Sequence, residues 1–419
     1  MMKFRTLVLL GVMLAASVTS AGAAEDGKEF DAHATSFSYF FKDADMDFHF
    51  GNLVLGSAVN GGVEIGEAFY AASQIKDGDA ASWQKEWYDL AKRVEARGLR
   101  ALKQGHKVSA RDQLLRAAYY YRISLLAMQP DNPQLEKRGL KSRSLMKRAG
   151  ALFDPPLEYF EIPFEDTVLP GFFRKAYSSG RPARTLLMIG GGETYIEDLF
   201  FYIARQAHDR GYNFMTIDLP GQGMLPHAGH VFRTDTNVPM KAVLDYASKR
   251  PDVDSAKLAA YGISGGGLFV PQAAMHDKRL KAIAMSSAVV DAHSLFALMP
   301  AATASKKEMA GWTSFHGDVV KSICWRYGVD KPSELIEANR GNTFDASRIA
   351  VPALLIVGEG EYRSKEVQRQ QKEALDNFPD SRSVMVVTPS NEGATNHCIM
   401  ENRAVVGQVL FDWLDKVFK

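Results

Sequence analysis

The residues with the clearest chemical promise are Gly262-Ile263-Ser264-Gly265-Gly266, which follow the apolar run Ala259-Ala260-Tyr261 and lead into Gly267-Leu268. A short apolar strand, then Gly-x-Ser-x-Gly, then a helix start is the pattern of a nucleophile elbow. There the serine takes a strained backbone conformation, and small neighbours let strand and helix cross closely. A serine hydroxyl is a weak nucleophile at neutral pH. It needs a base to take its proton and an acid to orient that base. In this architecture the order along the chain is serine, acid, histidine. After the apolar run 351–357 comes Gly358-Glu359-Gly360-Glu361, and after 384–387 comes Asn391-Glu392-Gly393-Ala394-Thr395-Asn396-His397-Cys398. His397 is therefore the expected base. Glu361, three residues past the glycine, is the expected acid, with Glu359 as its rival.

Acyl transfer also needs hydrogen-bond donors for an oxyanion. Gly190-Gly191-Gly192-Glu193 follows the apolar run 185–189, and its glycines allow close backbone approach. The backbone N–H groups of this loop can face an oxyanion, and Gly265 leaves another at a helix N-terminus; Glu193, Asp291 and His293 are candidates for the substrate pocket. Asp291 reads equally well as a helix cap. Asp218-Leu219-Pro220-Gly221-Gln222-Gly223 reads as a structural turn. His227 and His230 lie three apart in a loop with no evident third ligand, so no metal is expected. The pattern requires no cofactor.

These residues must be held by regular elements. Residues 30–152 carry helical periodicity. One helix begins within 62–70, a second is expected to be capped by Ser82, a third by Ser109, and a fourth ends near Gly150. Pro155-Pro156 marks a boundary. Residues 157–162 and 168–174 read as two antiparallel strands around a turn at 164–166. Beyond Arg184, short apolar strands at 185–189, 213–218, 282–286, 353–357 and 383–387, together with the strand before Ser264, alternate with helices. That alternation implies a mainly parallel sheet with helices on both faces, and such sheets bind ligands beyond the carboxyl ends of their strands. The expected fold class is α/β, with an N-terminal all-helical domain at 25–152 and the sheet domain at 153–419. Residues 291–349 interrupt the alternation with short helical pieces, as a lid insertion would.

The 419 residues carry 50 basic and 49 acidic side chains, which gives no reason to expect nucleic acid as a partner. Lys3 and Arg5, an apolar stretch at 7–16 and Ala21-Gly22-Ala23 read as a signal peptide over 1–24. The expectation is an exported protein, periplasmic or secreted, with no stable membrane insertion after cleavage. Cys324 and Cys398 are the two cysteines. Free thiols are favoured over a disulfide because a crosslink would constrain the loop that carries His397.

Gly190-Gly191-Gly192-Glu193, Asp218 to Gly223, Gly262 to Gly266 and Gly393 to Cys398 together resemble one branch of the α/β-hydrolases. That branch holds 2,6-dihydroxypseudooxynicotine hydrolase, the fungal polyketide-shortening pigment hydrolases and the fermentation/respiration switch proteins. The helical block is similar too, notably 61–69 and 77–83. The resemblance implies an α/β-hydrolase with its site between the helical and α/β domains: Ser264 as nucleophile, His397 as base, Glu361 as acid, Gly192 and Gly265 as oxyanion donors. The branch commonly has aspartate where Glu361 stands. Its members act on esters or on carbon–carbon bonds beside ketones, so the expected partner is a small-molecule substrate; a homodimer is left open. Tyr119, Trp312 and Trp325 would suit a bulky aromatic acyl group. A serine peptidase and a non-catalytic protein on the same fold are the competing readings.

Overall fold

The computed structural model describes residues 30–176 and 180–419; the expected signal peptide lies outside them. Eight strands form one sheet: β1 Leu157–Phe164, β2 Thr167–Arg174, β3 Ala183–Ile189, β4 Asn213–Ile217, β5 Val253–Ile263, β6 Ala282–Ser286, β7 Ala353–Gly358 and β8 Val384–Thr388. Their order is β1-β2-β4-β3-β5-β6-β7-β8. β1 and β2 form an antiparallel hairpin, β2 joins β4 antiparallel, and every pairing from β4 through β8 is parallel. The α/β class read from the sequence is the fold observed.

The central strands are apolar throughout because both faces of the sheet are covered. Successive side chains go to opposite cores. Leu186, Met188, Ala259, Tyr261, Leu354 and Ile356 join one core, while Leu187, Ile189, Ala260, Ile283, Leu355 and Val357 join the other. The second core is closed by Met240, Val243, Leu268 and Val270, from the helices Asn237–Lys249 and Gly266–His276. The first is continuous with the helical region: Trp83, Trp87, Tyr119 and Tyr120 are fully buried within it. The helical region therefore shares a core with the sheet it covers.

Two helix starts differ from the sequence reading. The helix Ala80–Lys103 is capped by Asp79, whose carboxylate accepts the Ser82 N–H at 2.7 Å, so Ser82 lies inside the first turn. The helix Lys107–Ile123 has His106 at its cap position and no side-chain cap; Gly105, at φ +81°, turns the chain into it and places Ser109 inside. A capping side chain must precede the N–H groups it satisfies, and both serines come too late. The segment between β3 and β4 is helical, with a wider π-helical stretch at Phe200–Ala204 between Ile196–Leu199 and Arg205–Asp209. The insertion contains short helices as expected, the longest being Ser314–Tyr327. Among the described residues no helix is long and apolar enough to cross a membrane. Cys324 and Cys398 are both buried free thiols.

Buried arginines clamp the helical region to the sheet. Arg122, on the helix Lys107–Ile123, donates to Asp198 and to the Glu193 carbonyl at 2.9 Å. Arg143, on the helix Pro133–Gly150, bridges Glu197 and Asp218. Arg403 donates to the Asn52 carbonyl at 2.8 Å and the Phe201 carbonyl at 2.9 Å. The Arg122–Asp198 pair is almost completely buried, so removing one partner leaves an uncompensated charge. Arg122→Met should destabilise the fold by about 3–5 kcal/mol, seen as a lower urea midpoint by tryptophan fluorescence. An unchanged midpoint would show that the clamp contributes nothing net.

Candidate active site

Ser264 stands between the end of β5 and the helix Gly266–His276, with φ +54°. A non-glycine residue there costs of order 1–3 kcal/mol and persists only where its surroundings impose it. The imposing contacts are backbone on backbone. A Cβ on Gly262 would stand 2.0 Å from the Gly266 carbonyl oxygen, and one on Gly266 would stand 2.5 Å from that of Ile189. The Ser264 N–H donates to the Ser286 carbonyl on β6 at 2.8 Å, and the Ser264 carbonyl accepts the Gly267 N–H at 2.8 Å, opening the helix.

His397 lies in the loop between β8 and the last helix, Arg403–Val417, and Glu361 follows β7. Glu361 Oε1 lies 2.8 Å from His397 Nδ1, and Oε2 accepts the Ser287 hydroxyl at 2.9 Å. Glu359 instead accepts the Ser390 N–H at 2.8 Å, so Glu361 is the acid the fold brings to the histidine. Burial disfavours charge on His397. The Cys398 sulfur and the Glu361 carboxylate act the other way and hold its pKa well above the ordinary imidazole value. Burial pushes the Cys398 thiol up, and the Glu361 carboxylate at Nδ1 orients the ring. Cys398 Sγ also meets the Ser286 carbonyl at 3.1 Å. Among the described residues Ser264 Oγ makes no hydrogen bond to His397; such contacts often tighten only around bound substrate.

Gly190-Gly191-Gly192-Glu193 leaves β3 against this elbow. A Cβ on Gly191 would fall 2.4 Å from Ser264 Cβ. The Gln222 amide donates to the Gly190 carbonyl at 2.6 Å and the Gly191 carbonyl at 3.2 Å, and its oxygen accepts the Leu219 N–H. The turn 218–223 is thus structural, as expected, and its structural task is to shape the glycine loop. Arg326, from the insertion, donates to the carbonyls of Gly221 and Gly223 and to the Tyr195 hydroxyl.

Ser264, His397, Gly192, Glu193 and His33 all border two adjoining cavities. The larger, of about 1000 Å³ to its open mouth, is lined by Phe30, Leu268, Phe269, Leu295, Phe296, Met299 and Tyr327, and also by Gly265 and Glu361. The smaller, of about 650 Å³, is lined by Phe48, Leu53, Leu126, Leu199, Tyr202 and Met400. Glu193 lines both cavities. Asp291 and His293 line neither cavity. Asp291 caps the helix Ala292–Phe296, its carboxylate accepting from the Ser294 N–H and hydroxyl. The expected pocket aromatics are elsewhere as well. Tyr119 is fully buried in the core, Trp312 borders a third depression that meets the larger cavity at His33, Met299 and Ile323, and Trp325 packs edge-on against His227.

Sequence reasoning missed His33 and His49. His33 Nδ1 lies 2.7 Å from Asp45, and His49 Nδ1 lies 2.7 Å from the Asp45 carbonyl oxygen. Burial works against charge on His33, but Asp45 outweighs it and the pKa is pushed up to about 9. Nothing in the local spacing reveals these residues, because they meet Glu193 across more than a hundred residues of chain.

An elbow serine, a histidine–carboxylate pair beyond the last strands and a glycine loop beside the serine, on this sheet, define an α/β-hydrolase. The FrsA-like esterase family model matches residues 77–310, and the chain belongs to that family. It is 28% identical over 397 residues to the 20-hydroxy-prefusarin hydrolase FUS2 of Gibberella moniliformis, covering 87% of this chain and 94% of the relative. It is 34% identical over 260 residues to the hydrolase ORFZ of Pyricularia oryzae, covering 58% of this chain and 61% of the relative. The crystal structure of 2,6-dihydroxy-pseudo-oxynicotine hydrolase shares the fold, with TM-score 0.70, 21% identity, and coverage of 87% of this chain and 95% of the other. AbyA5 does so with TM-score 0.59, 16% identity, and coverage of 84% and 94%. The protein is a hydrolase of the α/β-hydrolase superfamily, of the esterase or carbon–carbon hydrolase kind.

The two glutamates give a direct test. Glu361→Gln should lower kcat for an aryl ester by on the order of 10³–10⁴-fold. It also removes what favours the imidazolium, so the His397 pKa falls and the acid limb of the kcat/KM profile moves to lower pH. Glu359→Gln should stay within about threefold of the wild type. The reverse pattern would assign the acid to Glu359.

Proposed function

We propose that the protein is a serine hydrolase that works through an acyl-enzyme. Its substrate is a carboxylic ester, or a ketone with a cleavable carbon–carbon bond beside the carbonyl, with apolar bulk on both sides of the scissile bond. One observation carries the reading: Ser264, strained at the elbow beside the His397–Glu361 pair, opens onto two adjoining apolar cavities.

In this reading Ser264 Oγ attacks the carbonyl carbon and His397 Nε2 takes its proton. Glu361 holds the ring with Nδ1 protonated and stabilises the imidazolium. The N–H groups of Gly192 and Gly265 receive the oxyanion, where fixed donors in a dry site are worth most. When the tetrahedral adduct collapses, the bond to the leaving group breaks and His397 protonates the departing alkoxide or enolate carbon. Water, deprotonated by His397, then attacks the acyl-enzyme, and the acid leaves as Ser264 regains its proton. A β-diketone suits the carbon–carbon case because its carbanion is an enolate. The acyl group and the leaving group each have a cavity to occupy, which supports a substrate bulky at both ends.

A panel of aryl esters and β-diketones tests this. Substrates with branched or aromatic acyl groups should exceed the acetyl analogue in kcat/KM by about tenfold or more, since each apolar group buried adds about 1–3 kcal/mol. Ser264→Ala should abolish turnover of all of them. Preference for acetyl esters would remove the two-cavity argument, and turnover that survives Ser264→Ala would remove the mechanism.

A further inference from the structure

The cluster His33, His49 and Glu193 has no part in the serine chemistry above, yet it lies at the Ser264 end: His33 and Glu193 border both cavities, and His49 borders the smaller. Each histidine is held at Nδ1 by an oxygen that only accepts. For His33 it is the Asp45 carboxylate at 2.7 Å, and for His49 the Asp45 carbonyl at 2.7 Å. With Nδ1–H donated this way, Nε2 is the nitrogen left to bind a metal, which must displace any proton held there. Both Nε2 atoms face the same carboxylate oxygen, Glu193 Oε2, from His33 at 3.9 Å and from His49 at 3.6 Å. These separations are too long for hydrogen bonds. Two ligands on one ion lie about 3.3–3.6 Å apart for bonds of about 2.0–2.2 Å in a tetrahedral site; the His49 separation falls at that limit and the His33 separation is a few tenths of an ångström longer. One potential ligand atom from each of the three residues lies within 4.8 Å of the other two.

The surroundings are those of a built site. Metal-bound histidines regularly donate their other ring N–H to a carboxylate or a backbone carbonyl, which fixes ring orientation; here one buried residue, Asp45, supplies both acceptors. Its second carboxylate oxygen is held by His316 Nδ1 at 2.5 Å. The Glu193 main chain is fixed by Arg122 through its carbonyl. His49 is buried, and His33 and Glu193 are half-buried at the cavity wall.

We propose that His33 Nε2, His49 Nε2 and the Glu193 carboxylate form a mononuclear site for a divalent transition metal of the zinc class, with an open coordination position facing the Ser264 cavity. Two imidazoles and one carboxylate with a free fourth position are the donor set zinc takes in open sites, and magnesium and calcium prefer all-oxygen sets. The open position, beside Gly192, suits an oxygen atom of the bound substrate other than the carbonyl attacked; that last point rests on the function proposed above, whereas metal binding does not.

The test uses the full-length, tag-free protein, stripped with a chelator and dialysed. Zn²⁺ is titrated in competition with a chromophoric chelator, and Co²⁺ loading is followed by its visible d–d absorption. The expected result is one equivalent of metal per chain and a cobalt spectrum of low coordination number. Asp45→Asn, which leaves all three ligands in place, should weaken binding by about 10–100-fold. His49→Ala and Glu193→Gln, checked for native circular dichroism, should lose the stoichiometric site. Ser264→Ala should bind like the wild type, which separates failure of this proposal from failure of the serine mechanism. A wild-type chain that takes up no stoichiometric zinc or cobalt, or whose uptake survives both His49→Ala and Glu193→Gln, overturns the assignment.

Discussion

The site depends on how closely two pieces of backbone pass at the end of β5. The Gly266 carbonyl occupies the space a side chain on Gly262 would need, and Ile189 closes the other side of Gly266. That contact leaves the residue between them no relaxed conformation. Ser264 accepts φ +54°, and its hydroxyl is presented at the carboxyl end of the sheet, where parallel strands bring their loops together. The neighbouring loops answer to the same constraint. Gly191 can approach Ser264 because it has no side chain, and Gln222 holds that loop from behind through two carbonyls.

The helical region is part of this arrangement. Its tryptophans and tyrosines fill the same core as one face of the sheet, so it docks by burying apolar surface, the dominant favourable term. Buried arginines then set the register of the docking. Arg122 reaches the Glu193 carbonyl, so the glycine loop is fixed from the helical side as well as from Gln222. The insertion closes the third side. Arg326 is anchored on the 218–223 turn, and the Phe315 N–H donates to the Gly78 carbonyl of the helical region.

Much of this was legible in the sequence because it is local. The elbow, the glycine loop, and the acid and histidine loops are each a short motif after an apolar strand, and chain order assigned their roles. Glu361 and Glu359 stayed rivals in the sequence; the short helix Glu359–Tyr362 separates them, with Glu361 at the histidine and Glu359 on the Ser390 N–H. The unread part is long-range. His33 and His49 meet Glu193 only because the helical region folds over the sheet, and no spacing encodes that contact. Aromatic residues misled for a related reason. Tyr119 falls on the core face of its helix and is fully buried, while the apolar lining of the larger cavity comes from Phe30, Phe269, Phe296 and Tyr327, scattered along the chain. Asp291 shows the remaining ambiguity: an aspartate just before a helix serves its cap, and here it does so rather than entering the cavity.

The central claim is that Ser264 is an activated nucleophile, and reaction with a fluorophosphonate tests it most directly. Purified protein is treated with the probe, and the adduct is read by intact mass and located by peptide mapping, with Ser264→Ala alongside. The account predicts one adduct per chain on the peptide that carries Ser264, absent from the variant. A folded wild-type protein that stays unlabelled, or one labelled equally in the variant, would contradict it.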